Sequence, residues 1–217
     1  MSGVSALPAQ YSRQRIRRYT LIAVAVLVTL TAIVLDTKVV NLGTADEAQG
    51  KGFSVETYGE KTFPQIKKAV ESRAVDASEL ASALQSSQQA AVKKYGVGST
   101  LPVISVRFQG VVGEGKAGIY SVTVPGLPQG WKVRLQTGPV LTGTELRDAT
   151  GHIQFGDFTN QIEYQNAGVA INRTLKTTLL DGLDRQTLPG KPVVVVGVFR
   201  LLTPNNWLVT PVSLEVK

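Results

Sequence analysis

The chain has 217 residues, a hydrophobic fraction of 43% and a formal net charge of +7. This length and apolar content allow one sizeable folded domain with an appendage, and they argue against a disordered chain. Cysteine is absent, which excludes disulfides, thiolate metal sites and cysteine nucleophiles. His152 is the single histidine, which argues against a histidine-based metal cluster. We therefore predict no metal and no cofactor.

The positive charge is concentrated near the N-terminus. Four of the net charges come from Arg13, Arg15, Arg17 and Arg18, and no acidic residue precedes Asp36. The remainder of the chain carries a net charge of only +3, which is not the electrostatic footprint of a nucleic-acid-binding protein. We therefore expect no nucleic-acid partner.

An uncharged, mostly apolar segment follows these arginines at residues 19–35. As a helix it would extend about 26 Å, close to the lower limit for a bilayer core of about 30 Å. The arginines predict residues 1–18 in the cytoplasm and the C-terminal domain in the periplasm. We interpret the segment as an uncleaved, single-pass signal anchor in the inner membrane. A cleavable signal is the alternative, since residues 23–25 and 43–45 have the small-x-small form, and a buried core helix is the third possibility.

The next part of the chain predicts a linker and then helices. Several glycines indicate a linker over residues 36–61, with one short strand at 53–57. A helical segment is predicted over residues 62–98. Its first helix is expected to begin near Thr62, with Pro64 tolerated in the first turn.

A second helix within this segment is predicted from its start signal. Asp76 is followed three residues later by Glu79, which has the form of a capping box. Apolar residues then recur at helical spacing as far as Tyr95, and Gly96 and Gly98 are expected to end the helix.

From residue 102 the apolar pattern changes from helical to alternating. Three segments, at 104–108, 120–124 and 131–135, alternate apolar with polar side chains. Turn signals at 113–115 and 125–130 separate them. The pattern predicts an antiparallel meander with one buried face.

The remaining elements suggest how the sheet closes. A helix is predicted over residues 160–180, followed by a continuous apolar strand at 193–199 and an alternating strand at 212–216. Three strands, a helix and two more strands is the element order of an OB fold. We therefore predict an α+β protein in which residues 99–217 form an OB-like five-stranded antiparallel β-barrel. The alternative is an α+β sandwich of the same elements without closure.

A dense group of polar residues lies at residues 138–161. Arg147 and Asp148 are expected at a strand end or in a tight loop, and Asn160 and Gln161 lie at the start of the predicted helix. These four residues are candidates for binding a small polar ligand such as a sugar, because their side chains offer paired donors and acceptors. The alternative is a satisfied structural network that joins the barrel rim to the helix.

Other candidate roles concern the carboxylates around this group. Asp157 or Thr159 is expected to cap the helix that begins near residue 160. Two of Asp148, Asp157 and Glu163 could serve glycan hydrolysis, although spacing in sequence does not determine the separation of the carboxyl groups. His152 is expected in a turn or edge strand rather than as a base.

Basic side chains also occur on the predicted strands. Arg107, Lys132 and Arg134 share the outward phase of neighbouring strands, where OB folds often bind nucleic acid. The aromatic residues Phe108 and Trp131 share the inward phase, so this face lacks stacking partners. We interpret the basic residues as a solvated surface.

The stretch GPVLTGTELRDATGHIQFGDFTNQIEY, at residues 138–164, carries a longer motif. The order Gly-Pro, Gly-Thr-x-Leu-Arg-Asp-Ala and Phe-x-Asp-Phe-Thr-Asn-Gln-Ile-x-Tyr resembles the signature of a bacterial family of predicted periplasmic lipoproteins of unknown function. The resemblance extends more loosely from about Gly52 to the strand at 193–199. It implies an exported, membrane-attached protein with an OB-like fold and an accessory role beside sugar ABC-transporter components. The sequence departs from the family in lacking the lipobox cysteine, so we expect the N-terminal helix to provide the anchor.

These observations together predict a non-enzymatic, membrane-anchored periplasmic accessory or binding protein. Its expected partners are the membrane, ABC-transporter components and a small polar ligand such as a sugar. A carboxylate-dependent glycan hydrolase and a structural subunit of a membrane complex are the alternatives.

Overall fold

The computed structural model describes residues 10–36, 53–98 and 100–217. The chain divides into two compact units, Met1–Ala48 and Gln49–Lys217. Most of the predicted linker, with the candidate cleavage site at 43–45, lies outside the described residues, as does the start of the predicted cytoplasmic segment.

The described part of the first unit is a helix, α1, over Gln10–Asp36. The hydroxyls of Thr29 and Thr31 donate to the carbonyl oxygens of Ala25 and Leu27, each at 2.8 Å. These bonds to the preceding turn satisfy the threonines within an apolar helix. Among the residues that the structure describes, no helix combines the length and the apolarity needed to cross a membrane. This finding does not support the predicted transmembrane helix.

Helix α2 spans Val55–Arg73, which corrects the predictions for this region. The expected strand at 53–57 is instead a helix start, where Ser54 Oγ accepts a hydrogen bond from the backbone N–H of Thr57 at 3.4 Å. Pro64 lies inside the helix rather than in its first turn. The glycines of this region indicated a linker, but Gly59 is a buried position within α2.

At Gly59, α2 closely approaches another helix. A Cβ atom at this position would collide with the carbonyl oxygen of Ala170 and with Oγ1 of Thr174. Both residues belong to helix α6, Gln161–Leu175, which packs along α2. A glycine at this point lets the two backbones come together, and that benefit offsets its low helix propensity.

Two further helices follow α2, where the sequence predicted one. Helix α3 spans Ala77–Ser86 and begins as predicted, with Asp76 Oδ1 accepting from the backbone N–H of Ser78 at 2.8 Å. Ser87 then has an extended backbone and caps helix α4, Gln88–Tyr95, through a bond from Ala90 N–H at 3.3 Å. The extended backbone of Ser87 ends α3. Its hydroxyl starts α4, because it accepts from a backbone N–H that has no acceptor within the helix.

The second unit contains a seven-stranded sheet. Its strands in chain order are β1 Val75–Asp76, β2 Gly96–Val97, β3 Val103–Lys116, β4 Ile119–Thr123, β5 Lys132–Gln136, β6 Pro192–Arg200 and β7 Asn206–Val216. The last five close into a ring in the order β3-β4-β5-β7-β6, with β6 pairing back to β3. The predicted α+β class and the element order of an OB fold are therefore confirmed.

The sheet differs from the prediction in two places. Residues 113–115 were expected to form a turn, but β3 continues through them with an irregularity between Val112 and Gly115. The chain reverses instead at Ala117 and Gly118, whose φ angles are 53° and 78°. In addition, β5 and β7 pair in parallel, so the ring is not antiparallel throughout.

Two clusters of buried apolar side chains stabilise this unit. The first is built by the five ring strands with α3, and in it the ring of Trp207 stacks on Phe199 with centroids 4.8 Å apart. The second joins α2 and α6 to one side of the sheet, with Ile66, Ile171 and Val198 among its members. The predicted helix over 160–180 is confirmed as α6, which continues into one wider turn at Lys176–Leu180.

Candidate functional site

Arg147 and Asp148 lie on a short helix, α5, that spans Glu145–Asp148. This corrects the expectation of a strand end or a tight loop. Leu146 is fully buried in the cluster between the helices and the sheet, which fixes α5 in place. Because the Leu146 side chain is buried there, the polar side chains of Arg147 and Asp148 reach the start of helix α6 and the end of β6.

The carboxylate of Asp148 accepts hydrogen bonds from three side chains. Arg147 Nε donates to Oδ1 at 2.8 Å, while Thr144 Oγ1 and Arg200 Nη2 donate to Oδ2 at 2.9 Å and 2.6 Å. Thr144 immediately precedes α5, whereas Arg200 is the last residue of β6. The carboxylate therefore ties a local helix to a distant strand through charge-assisted bonds.

Arg147 is enclosed by the start of α6. It is 8% exposed, and its Nη1 donates to the carbonyl oxygen of Tyr164 at 3.2 Å. The guanidinium carbon lies 3.7 Å from the centroid of the Tyr164 ring. Such a stack is favourable when the cation is desolvated. Arg147 is thus satisfied by Asp148 and Tyr164, as expected for a structural network.

Arg200 connects the same network to two more groups. Its Nε lies 3.5 Å from Glu145 Oε1, and its Nη1 donates to the carbonyl oxygen of Leu101 at 3.0 Å. The side chains of Arg200 and Glu145 are 21% and 16% exposed, so this pair is partly screened by solvent. Two guanidinium groups and two carboxylates meet here, and their charges balance.

The surroundings of Asp148 determine its protonation state. Burial by itself would raise the pKa of this carboxyl group, but hydrogen bonds from Arg147, Arg200 and Thr144 outweigh burial. The pKa therefore lies below its ordinary value, and Asp148 is ionised at neutral pH. This is the opposite of what a general acid requires.

The predicted residues Asn160 and Gln161 have other positions. Asn160 caps α6, since its Oδ1 accepts from the backbone N–H of Glu163 at 2.9 Å, so neither Asp157 nor Thr159 is the cap. Gln161 is exposed at the first turn of α6. Neither amide hydrogen-bonds to the Asp148 carboxylate, whose three donors are given above.

The other two candidate carboxylates also serve local structure. Asp157 Oδ2 accepts from the backbone N–H of Gln154 at 2.8 Å and closes a short turn. Glu163 is buried, and its Oε2 accepts from the backbone N–H of Thr159 at 2.9 Å. Each carboxylate satisfies the start of a helical element.

An open cavity of about 440 Å³ lies beside this network. Asp148 and Arg200 line it together with Tyr164, Gln154 and Thr100. Of the four predicted ligand-binding residues, only Asp148 lies at its wall; Arg147, Asn160 and Gln161 are not among the lining residues. The volume falls within the range of small-molecule sites in proteins.

The sequence pattern did not indicate Arg200, Thr100, Gln154 or Tyr164 as cavity residues. Arg200 directly follows the apolar segment 193–199, and a charged residue at the end of a buried strand is the one signal that could have indicated it. Thr100 has no distinguishing pattern. Both come to the cavity through the β3–β6 pairing, which sequence spacing does not reveal.

The remaining candidates have simpler roles. His152 is exposed in the loop after α5, where its backbone N–H donates to Thr150 Oγ1 at 3.2 Å, as expected for a turn residue. Arg107 donates from Nε at 2.7 Å, and also from Nη2, to the carbonyl oxygen of Ala74. Within the described ranges, no group of three or more acidic or histidine side chains is placed to hold a metal ion.

The model of the family DUF2291, described as predicted periplasmic lipoproteins, matches residues 23–215 of the chain. The chain belongs to this family. The match spans nearly the whole second unit, including the ring of strands, α5 and α6. The DUF2291 description supports an extracytoplasmic location and assigns no activity.

The fold also has a counterpart among solved structures. A crystal structure of an OB-fold protein from Thermotoga maritima MSB8 aligns with a TM-score of 0.64 and 20% sequence identity. The alignment covers 77% of this DUF2291 chain and 100% of the other. At this identity the likeness establishes the fold alone. No curated protein matches the sequence.

Proposed function

We propose that this protein is a non-enzymatic extracytoplasmic accessory protein that binds a small polar ligand, such as a sugar, in the cavity beside Asp148. The proposal rests on one observation: the ion pair of Asp148 and Arg200 lines a cavity of about 440 Å³.

The polar side chains of the wall suit a neutral, polyhydroxylated molecule, while Val97, Leu101, Val103 and Ile153 form its apolar part. Asp148 offers acceptors, Arg200 offers donors, and Gln154 and Thr100 add an amide and a hydroxyl. Because the two arginines of the network are balanced by two carboxylates, the cavity favours neither an anion nor a cation. Tyr164 also lines the cavity, with one face of its ring covered by the Arg147 guanidinium.

The state of the carboxylates supports a binding role over hydrolysis. A glycosidase acid needs a raised pKa, whereas hydrogen bonds, outweighing burial, hold that of Asp148 low. Asp157 and Glu163 accept backbone hydrogen bonds at the start of helical elements.

Calorimetry of the full-length protein with pentoses, hexoses and polyols tests the binding proposal. We expect saturable binding of at least one sugar, weakened about tenfold by Gln154→Ala or Thr100→Ala through loss of a hydrogen bond. Gln165→Ala is the matched control, since Gln165 is exposed on α6 and does not line the cavity. Equal affinity in all three variants would place the ligand elsewhere, and absence of binding would remove the proposal.

The proposed accessory role places the protein at the membrane, attached through its N-terminal helix and associated with a carbohydrate ABC transporter. Ile162 and Val169 support a protein partner, because both are apolar, 59% and 58% exposed, and seven residues apart on one side of α6. Co-purification of transporter subunits from native membranes tests this. We expect Ile162→Glu with Val169→Glu to abolish it, while Gln85→Glu with Gln89→Glu, the same charge change on the exposed sides of α3 and α4, leaves it intact.

A further inference from the structure

A second cavity of about 400 Å³ lies at the hairpin of β4 and β5. The end of β4, the start of β5 and the loop between them form its wall. It shares no lining residue with the cavity beside Asp148, so it is independent of the proposed function. Its polar lining consists of the side chains of Ser121, Thr123, Lys132 and Arg134.

Arg134 has an unsatisfied donor in this wall. Its Nε is buried, and it has no hydrogen-bond partner among the described residues. Buried polar groups are nearly always paired, and a charged group left unpaired destabilises the fold. A ligand in the adjoining cavity is therefore suited to supply the acceptor that the described protein groups do not provide.

The charge around Arg134 is positive. Lys132 is two residues earlier on the same strand, so both side chains share one face of β5. Ser121, directly opposite Arg134 in β4, adds a hydroxyl. Among the described residues, no aspartate or glutamate lines the cavity. The polar part of the site therefore favours an anion.

The rest of the wall is apolar. Leu127 and Pro128 of the hairpin loop line it, and Trp131 contributes an aromatic ring that is partly buried. The Trp131 ring packs edge-on against Trp207, with centroids 5.3 Å apart, which holds it in place. A small inorganic anion would leave this apolar surface unused.

We propose that the β4–β5 cavity binds a carboxylate that carries a hydrocarbon body. The guanidinium of Arg134 turns toward the cavity and binds the carboxylate through Nε–H and a neighbouring N–H, the bidentate geometry that arginine offers to planar oxyanions. Lys132 adds charge at the opening. Leu127, Pro128 and Trp131 contact the hydrocarbon part.

Tryptophan fluorescence of the full-length protein tests this proposal with hexanoate as the probe. The chain has two tryptophans, and Trp207 is fully buried, so Trp131 reports on the cavity. We expect a saturable change of emission with hexanoate, and binding about tenfold weaker for acetate, which lacks most of the apolar contact. Neutral 1-hexanol and inorganic phosphate are expected to bind weakly or not at all.

Arg134→Gln is expected to weaken hexanoate binding by about tenfold or more. Arg173→Gln is the matched control, because it removes the same charge from an exposed arginine on α6. Lys132→Gln is the second variant should Arg134→Gln fail to fold, and its expected loss is smaller because Lys132 is exposed. Absence of hexanoate binding overturns the proposal. So does hexanol or phosphate binding as tightly as hexanoate, and so does unchanged affinity in the Arg134 or Lys132 variant.

Discussion

Arg200 Nη2 lies 2.6 Å from Asp148 Oδ2, and this bond joins the end of β6 to helix α5 across 52 positions of sequence. Asp148 also accepts from its neighbour Arg147, so one carboxylate serves a local and a distant arginine. The arrangement fixes α5 against the ring of strands and forms the wall of the adjoining cavity. Asp148 and Arg200 thus belong both to the structural network and to the candidate binding surface.

The low pKa of Asp148 predicts a loss of stability in acid. Because the folded-state pKa lies below the unfolded value of about 3.9, the unfolded chain takes up the proton first. The contribution of Asp148 is therefore complete above that value and is lost as the pH falls through the folded pKa. We expect the stability difference between wild type and Asp148→Asn, measured by urea unfolding, to shrink below about pH 4. A difference that stays constant from pH 7 to pH 3 would contradict this.

Arg147 is expected to be a structural residue. Replacing it by Met removes its bonds to Asp148 and Tyr164 in a buried setting, and should lower the free energy of unfolding by about 2–4 kcal/mol. Arg173→Met is the control, since Arg173 forms an ion pair with Glu56 while its side chain is 60% exposed. That change should cost less than about 1 kcal/mol. Comparable losses in the two variants would argue against a buried network.

Gly59 should not tolerate a methyl group. The Cβ of Gly59→Ala would meet the backbone of α6 at Ala170, so the helices must separate. We expect a loss of about 1–3 kcal/mol of stability despite the better helix propensity of alanine. Gly182→Ala is the control, because no atom lies within 4 Å of a Cβ there, and its expected effect is within about 0.5 kcal/mol. Thermal unfolding of both variants measures the contrast.

Ala117 offers a stabilising substitution. It has a φ of 53°, in the left-handed region that suits asparagine better than alanine, and Gly118 follows it in the two-residue turn between β3 and β4. Ala117→Asn is expected to raise the free energy of unfolding by about 0.5–1 kcal/mol. Gly118→Ala should destabilise the protein, because its φ of 78° is also left-handed and its Cβ would collide with Gly138. Urea midpoints that move in the opposite directions would refute the assignment of this turn.

The sequence showed a polar motif around Arg147 and Asp148, but it did not show which residues surround them in the folded protein. Sequence spacing placed Asn160 and Gln161 beside them as ligand-binding candidates, yet Asn160 caps α6 and Gln161 lies exposed at its start. A capping residue and a ligand-binding residue have the same polar side chains, so their types alone cannot separate the two roles. The orientation of α6 relative to the strands decides between them.

Features that depend on a few neighbouring residues followed from the sequence by itself. The Asp76 cap, the alternating strands and the apolar segment at 193–199 are local, because capping and strand periodicity act over one or two turns of chain. The Arg200–Asp148 bond, the approach at Gly59 and the unpaired Nε of Arg134 were decided only by the tertiary structure. Each depends on which distant elements meet when the ring closes and the helices pack, and that choice is made by burial of apolar surface over the whole unit.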